Sequence, residues 1–141
     1  MLSITEKEEQ KDITQPSPLY SFMHALKSSE ARIQYPKRLK KLFDFLNLSG
    51  SLEEQANEFL NKARQNIQRS QDSIMRFLDL HKERVRRKEL AAGTLKNYYR
   101  AAKLFCEMND LTLNWKRISK GLPRVRNSSN DRASTLEEIF F

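Results

Sequence analysis

The sequence predicts an all-α protein, a compact bundle of four to five helices between a flexible N-terminal tail and a C-terminal linker. Apolar residues recur at the three-and-four spacing of a helix face in successive segments, and residues typical of helix starts precede several of them. A chain of 141 residues has room for one domain with tails. Although 31% of the residues are charged, the apolar residues are concentrated in the periodic segments, so we expect a folded centre.

The first two helices are predicted after residues 1–16, which lack periodicity and indicate a flexible tail. Ser17 before Pro18 is typical of a helix start, because the serine caps and the proline needs no hydrogen-bonded amide in the first turn. This helix is expected to run to about residue 27. A second amphipathic helix follows a break at Ser28, with Pro36 either near its start or at a kink within it.

The middle of the chain predicts two further helices. Gly50 is expected to end the second helix, and Ser51 with Glu54 three residues later forms a capping box for the third. The apolar face of the third helix is expected to extend to residue 67. Ser70 and Ser73 then indicate a bend or a new helix start, after which an apolar stripe continues to residue 85.

The helix from Thr94 to Met108 carries two stripes. Thr94 is expected to cap its N-terminus, because its hydroxyl can accept hydrogen bonds from amides of the first turn. Apolar and aromatic side chains recur on one face, while Lys96, Arg100 and Lys103 recur at the same spacing on another. This helix can therefore bury one side and offer a cationic side.

The net charge of +8 and the pI near 9.7 favour a polyanionic partner, either nucleic acid or an anionic membrane surface. The excess lies mainly in residues 21–52 and 74–108. In the first of these regions, Arg32, Lys37, Lys40 and Lys41 lie opposite the apolar stripe. In the second, Arg86 and Arg87 belong to a basic cluster that is either a solvated helix end or a phosphate-binding group.

Sequence motifs for catalysis, cofactors or metals are absent. The three glycines stand too far apart for a phosphate-binding loop, so nucleotide hydrolysis is not expected. His24, His81 and Cys106 have no zinc spacing, and Cys106 lies on an apolar stripe that favours a buried, inert thiol. The tyrosines of the helix stripes favour structural packing over chemistry. We expect no cofactor, metal or small-molecule substrate.

The sequence also indicates where the protein acts. A single cysteine suits a reducing compartment, and no apolar run approaches the ~20 residues that span a bilayer. The polar, acidic N-terminus is unlike a signal peptide. We therefore expect a soluble cytoplasmic protein without a membrane partner, associated with the nucleoid if its anionic partner is DNA.

The C-terminal region predicts a boundary between domains. The domain is expected to span residues 17–118, and the polar residues 119–133 indicate a linker. Trp115 is expected to pack the start of this linker against the bundle. Thr135 with Glu138 forms another capping box, so residues 134–141 predict a helix that stops after about two turns at Phe141. A capped helix this short suggests that a second domain should follow.

Several residues in combination resemble the N-terminal, core-binding (SAM-like) domain of the tyrosine recombinase or phage integrase family, most closely the integrase-like proteins of archaea. The resemblance covers roughly residues 19–139. It is carried by Gly93-Thr94, Tyr98, Lys103, Phe105, Cys106, Asn109, Asn114-Trp115, Lys116, Ile118, Leu122-Pro123, residues 131–135 and residues 137–139, with a looser fit at Tyr35, Leu39 and Phe43.

The resemblance implies a small helical bundle that forms one half of a clamp around duplex DNA, as part of DNA integration or recombination. The catalytic residues of that family lie in the following domain, so it implies that residues 17–118 bind DNA without performing chemistry. Other recombinase subunits would be further partners. The expected DNA-binding residues are Arg32, Lys37, Lys40, Lys41, Arg86, Arg87, Thr94, Lys96, Asn97, Arg100 and Lys103, with Asn97 or Arg100 able to reach base edges.

Two other hypotheses stay open at the level of sequence. In one, the chain is a helical interaction module whose positive faces bind an acidic protein. In the other, it is a piece of an active recombinase, in which an Arg, Lys, His and Tyr series would follow Phe141 in the natural reading frame.

Overall fold

The computed structural model describes residues 17–123, and within them it shows six α-helices and no strand. The helices are α1 (Pro18–His24), α2 (Ser29–Phe45), α3 (Leu52–Gln65), α4 (Ile67–Arg86), α5 (Ala92–Met108) and α6 (Trp115–Lys120). The all-α prediction is confirmed, and the short α6 is a helix that the apolar pattern did not predict. The expected tail over residues 1–16, most of the linker and the helix of residues 134–141 lie outside the described residues.

Local side-chain caps begin the first three helices. The Ser17 hydroxyl accepts from the Tyr20 amide at 3.1 Å, with Pro18 in the first turn. At α3 the predicted capping box is confirmed, because Ser51 accepts from the Glu54 amide at 3.2 Å and Glu54 accepts from the Ser51 amide at 2.8 Å. The N-cap of α2 is Ser28, so the helix begins well before Pro36 and contains it.

Two predicted helix starts are wrong. The N-cap of α4 is Asn66, whose side-chain oxygen accepts from the Arg69 amide at 3.0 Å. The break between α3 and α4 therefore precedes the predicted one, and Ser70 and Ser73 lie inside α4. At α5 the N-cap is residue 91, an alanine without a side-chain cap, so Thr94 lies within the helix and caps nothing.

Three helices end at a residue with left-handed backbone that is not glycine. Asn47, Lys88 and Asp110 have φ angles of 61°, 64° and 60° after α2, α4 and α5. After α2, the amide of Leu48 donates to the carbonyl of Phe43 at 3.1 Å, which is the long hydrogen bond of a Schellman motif. The prediction that Gly50 ends α2 is therefore wrong, since the chain leaves the helix at Asn47.

The hydrophobic core is organised around α5, which packs against α1, α2 and α4. Phe105 is buried at its centre, with ring centroids 6.0 Å from Phe22 of α1, 5.5 Å from Phe43 of α2 and 6.0 Å from Phe59 of α3. Most of the predicted apolar faces are buried here. One exception is Ile67, which the sequence assigns to the apolar face of α3 but which begins α4 and is 37% exposed.

Buried amides hold the ends of the helices in place. Asn109 donates from Nδ2 to the carbonyls of Pro18 at 3.2 Å and Phe105 at 2.9 Å, which joins the end of α5 to the start of α1. The side-chain oxygen of Gln71 accepts from the Asn114 amide at 2.9 Å and fixes the approach to α6. These bonds satisfy polar groups that would otherwise be costly to bury.

The C-terminal end of the described chain is packed against the bundle. Trp115, the first residue of α6, meets the ring of Tyr99 edge to face at a centroid distance of 5.9 Å, in agreement with its predicted packing role. Ile118 is buried, and Leu122 packs against the core. The helical domain therefore extends past residue 118 to Lys120 at least.

Candidate nucleic-acid interface

A groove of about 800 Å³ lies between the outer side of α5, the end of α1 and the first half of α2. We call it the α5 groove. Its surface is predominantly apolar, with contributions from Leu26, Tyr35, Tyr99 and Leu104. Its cationic side chains are Lys27, Lys96, Arg100 and Lys103, and Glu107 is the carboxylate among its described lining residues.

The periodicity of α5 places its basic residues in this groove. Lys96, Arg100 and Lys103 share one side of the helix, while the opposite side buries Tyr98 and Phe105. All three cations are half-buried, as expected when the aliphatic stem of a long side chain packs on apolar surface. Lys103 also holds its ammonium 5.9 Å from the centroid of the Tyr99 ring. The predicted cationic stripe of α5 is therefore part of a concave surface.

The basic sides of α2 and α5 meet at Tyr35. The guanidinium of Arg38 lies 5.3 Å from the centroid of the Tyr35 ring. Burial raises the pKa of the Tyr35 hydroxyl, while the positive charges of Arg100 and Arg38 act in the opposite direction. Tyr35 thus contacts a cation of α2 and lines the groove together with Arg100 of α5.

Arg38 is a candidate site residue that the sequence-based set leaves out. Arg38 lies next to Leu39 of the apolar stripe of α2, so the sequence did not assign it to the basic face of that helix. The one sequence signal for it is a faint similarity between the two basic helices, which aligns Arg38 and Lys41 with Arg100 and Lys103. Lys27 of the α5 groove is omitted for a different reason, because it lies at a helix end where periodicity assigns no face.

A second group of cations lies around His81, which is buried between Phe77 and Tyr98. Burial lowers the pKa of His81, and the positive charges of Arg84 and Lys41 lower it further. Arg84 places Nη1 3.2 Å from Nδ1 of His81, and because a guanidinium can only donate, that nitrogen is the acceptor. Lys41 of α2 and Arg84 of α4 thus both act on His81 electrostatically, and Arg84 also contacts it.

Lys40 is held on another side of α2. Its ammonium lies 3.1 Å from the side-chain oxygen of Gln55 and 3.4 Å from Asp44. Gln55 is buried, and it donates to Asp44 and to the carbonyl of Leu48, each at 2.8 Å. The hydrogen bond from Gln55, together with Lys40, keeps the pKa of Asp44 below its usual value. Lys40 therefore belongs to the contact between α2 and α3 and does not line the α5 groove.

Arg86 and Arg87 share one carboxylate at the end of α4. Both guanidinium groups donate to Glu83, and the bonds from Arg86 are the main cause that lowers the pKa of this carboxyl to about 2. The two arginines are exposed, and because they share one carboxylate the three side chains together keep a net positive charge. Neither lines the α5 groove.

The remaining predicted residues occupy different positions. Thr94 and Asn97 are half-buried on α5, and Asn97 precedes Arg100 by one turn on a neighbouring part of the helix surface. Arg32 and Lys37 are exposed on α2. None of these four lines the α5 groove, so the structure brings together only part of the predicted set.

Three observations on the described residues bear on other kinds of site. Cys106 is buried, and burial raises its pKa far above the usual range of a thiol. In residues 17–123, no three His, Cys, Asp or Glu side chains are grouped as a metal site would require. None of the helices in this region is long and apolar enough to cross a membrane.

Comparison with known proteins adds no family to these observations. No protein-family model, curated protein or solved structure matches the chain.

Proposed function

We propose that this chain binds duplex DNA through the α5 groove, with further contacts from cations of α2 and α4. The observation that carries the proposal is that cations from two different helices meet at Tyr35: Arg100 of α5 lines the same groove as Tyr35, and the guanidinium of Arg38 of α2 lies 5.3 Å from the centroid of its ring. Lys and Arg side chains supply most of the affinity for DNA by neutralising phosphates and releasing counterions. A surface that collects such side chains from several helices can follow a phosphate backbone.

The biological setting that we propose is site-specific recombination or DNA integration. This part of the proposal is supported by the sequence resemblance to the core-binding domain of tyrosine recombinases, with Tyr98, Lys103 and Asn114-Trp115 among the matching residues. The chain would act as the non-catalytic half of a clamp on DNA in the nucleoid, alongside other recombinase subunits. Phosphate contacts would set its position, and Asn97 or Arg100 would contact bases.

The apolar surface of the α5 groove supports a second candidate function. Leu26 and Leu104 line the groove together with its cations, and this combination also fits an acidic amphipathic segment of another protein. The double substitution Arg100→Glu with Lys103→Glu distinguishes the two functions, because it reverses the charge in the groove.

The DNA-binding proposal is tested by measuring the affinity of the folded chain for a labelled duplex over a series of salt concentrations. Each phosphate contact contributes a slope of about 0.9 log units of affinity per log unit of salt. We expect the double variant to lose about two contacts from that slope and to bind at least ~10-fold more weakly.

The matched control is Arg64→Glu with Lys116→Glu, which changes the charge equally at two exposed residues outside the α5 groove. It should keep most of the affinity. Binding of the parent chain that does not depend on salt, or an unchanged slope in the groove variant, would contradict the proposal. Unchanged DNA binding together with loss of a protein complex would favour the acidic partner.

A further inference from the structure

A second groove, of about 530 Å³, lies between the C-terminal ends of α2 and α3 and the first turns of α4. We call it the α3–α4 groove. It shares no lining residue with the α5 groove. The residues that give it its chemistry are Lys62, Arg69, Arg76, Asn47, Asn66 and Ser73.

The charge of this groove is one-sided. Three cations line it, and none of its described lining residues is a carboxylate. Lys62 is 66% exposed, although its ammonium lies 3.1 Å from Glu58. Arg76 contacts the hydroxyl of Ser73 at 3.5 Å, and within residues 17–123 neither Arg76 nor Arg69 forms an ion pair with an acidic side chain. Two arginines are thus available to neutralise an anion.

The local sequence conceals this charge. Residues 53–73 contain Glu53, Glu54, Glu58 and Asp72 beside Lys62, Arg64 and Arg69, so this segment does not stand out as basic. In the fold, Glu54 is turned to the α3 capping box, and Asp72 accepts from Gln68 on the exposed side of α4. None of these acidic residues lines the groove, although Glu58 forms an ion pair with Lys62.

These features fit phosphate groups. Exposed guanidinium and ammonium groups bind phosphate oxygens, and neutral Asn and Ser side chains add hydrogen bonds without sequence preference. The mixture is more polar than the α5 groove, which argues against the apolar face of a partner helix as the occupant. Phosphates on a duplex are spaced regularly and would satisfy several of these side chains at once.

We propose that the α3–α4 groove binds a second segment of duplex DNA, so that one molecule bridges two duplexes. This inference rests on the proposed DNA-binding function of the α5 groove. It assigns Lys62, Arg69 and Arg76 to the second duplex and the cations of the α5 groove to the first.

The test is a bridging assay in which a duplex fixed to beads captures a second, fluorescent duplex through the protein. The variant carries Lys62→Gln, Arg69→Gln and Arg76→Gln. We expect it to reduce capture of the second duplex at least ~10-fold while its affinity for a single duplex stays within about threefold, because the three lost phosphate contacts belong only to the second duplex. Circular dichroism confirms that the variant is folded.

A matched control replaces Arg64, Lys116 and Lys120 by glutamine, three exposed cations that line neither groove, and should leave bridging unchanged. Normal binding of a single duplex without bridging by the parent chain would overturn this inference and leave the proposed function intact. Failure to bind even one duplex would overturn both.

Other outcomes identify other occupants and would also overturn the inference. Persistent bridging by the triple variant would mean that two copies of the chain join the duplexes. Equal loss of single-duplex binding and bridging would mean that both grooves contact the same duplex. If labelled polyglutamate bound to the α3–α4 groove and a second duplex did not, the occupant would be an acidic protein segment.

Discussion

The side chain of His81 lies buried beside Phe77 and Tyr98, near the positive charges of Arg84 and Lys41. Each of these neighbours disfavours the imidazolium, either by removing water or by electrostatic repulsion. The sequence places His81 on an apolar stripe but does not reveal Lys41, which lies on another helix. The protonation of this core histidine therefore depends on the charges of Arg84 and Lys41 as well as on burial.

We expect His81 to make stability depend on pH. Its pKa in the folded protein lies below the usual value of 6.5, so the unfolded chain takes up the proton first as the pH falls. The stabilisation is complete above pH 6.5 and is lost as the pH falls toward the pKa of the folded state. His81→Gln should flatten the dependence of the unfolding free energy on pH between about pH 7.5 and about pH 5.5.

Denaturant unfolding of both proteins at several pH values measures this effect. The slope with pH is the quantity compared, because the substitution also changes stability at every pH. A slope that is the same in the parent and the variant would show that His81 does not titrate differently in the folded state.

At the scale of the helix, α2, α4 and α5 end in the same backbone conformation, which the positions of the glycines do not predict. At each of these ends the chain leaves the helix at a non-glycine residue with left-handed backbone. This conformation costs ~1 kcal/mol or more for a residue with a Cβ. The long hydrogen bond of the Schellman motif, such as Glu89 to Arg84 at 2.8 Å after α4, holds this conformation. Predictions that used Gly50 as the end signal failed for this reason.

Lys88 allows a direct test of this conformation. Lys88→Gly should raise the free energy of unfolding by about 0.5–1 kcal/mol, because glycine adopts the left-handed conformation without steric cost. The same exchange at Lys82, inside α4, should lower it by about 1 kcal/mol, because glycine is a poor helix former. Thermal or denaturant unfolding measures both, and effects of the same sign would contradict the assignment of the helix end.

At the scale of the whole molecule, Phe105 connects α5 to three other helices through its contacts with Phe22, Phe43 and Phe59. The sequence predicts that Phe105 is buried, because it lies on the apolar stripe. Its partners come from segments far away along the chain, and no periodic pattern pairs them. The core position can thus be predicted from sequence, but the identity of its neighbours cannot.

Phe105→Ala should lower the free energy of unfolding by about 3–5 kcal/mol, because it leaves a cavity at the junction of four helices. Phe45→Ala serves as the matched control. Phe45 is 36% exposed and meets the ring of Phe77 edge to face at the edge of the core, so its loss should cost at most about 2 kcal/mol. Denaturant unfolding gives both values. Comparable losses would mean that Phe105 is not the centre of the core.

The candidate site shows the same division. Lys96, Arg100 and Lys103 could be assigned to one surface from sequence, because they share one side of a single helix. The sequence could not show that Lys40 lies outside this surface, because its partner Gln55 belongs to the next helix and only folding brings the two side chains together. Arg38 could not be included, because its relation to Arg100 depends on the packing of α2 against α5.

The sequence by itself determined the helical class, most of the buried faces and the side-chain caps at Ser17 and Ser51, because these follow from interactions within a few residues. Only the tertiary structure decided where cations from different helices meet. It joined α2 to α5 at Tyr35 and collected Lys62, Arg69 and Arg76 in a groove that the local charge conceals. Such surfaces arise from helices distant along the chain, so their charge depends on packing and not on sequence order.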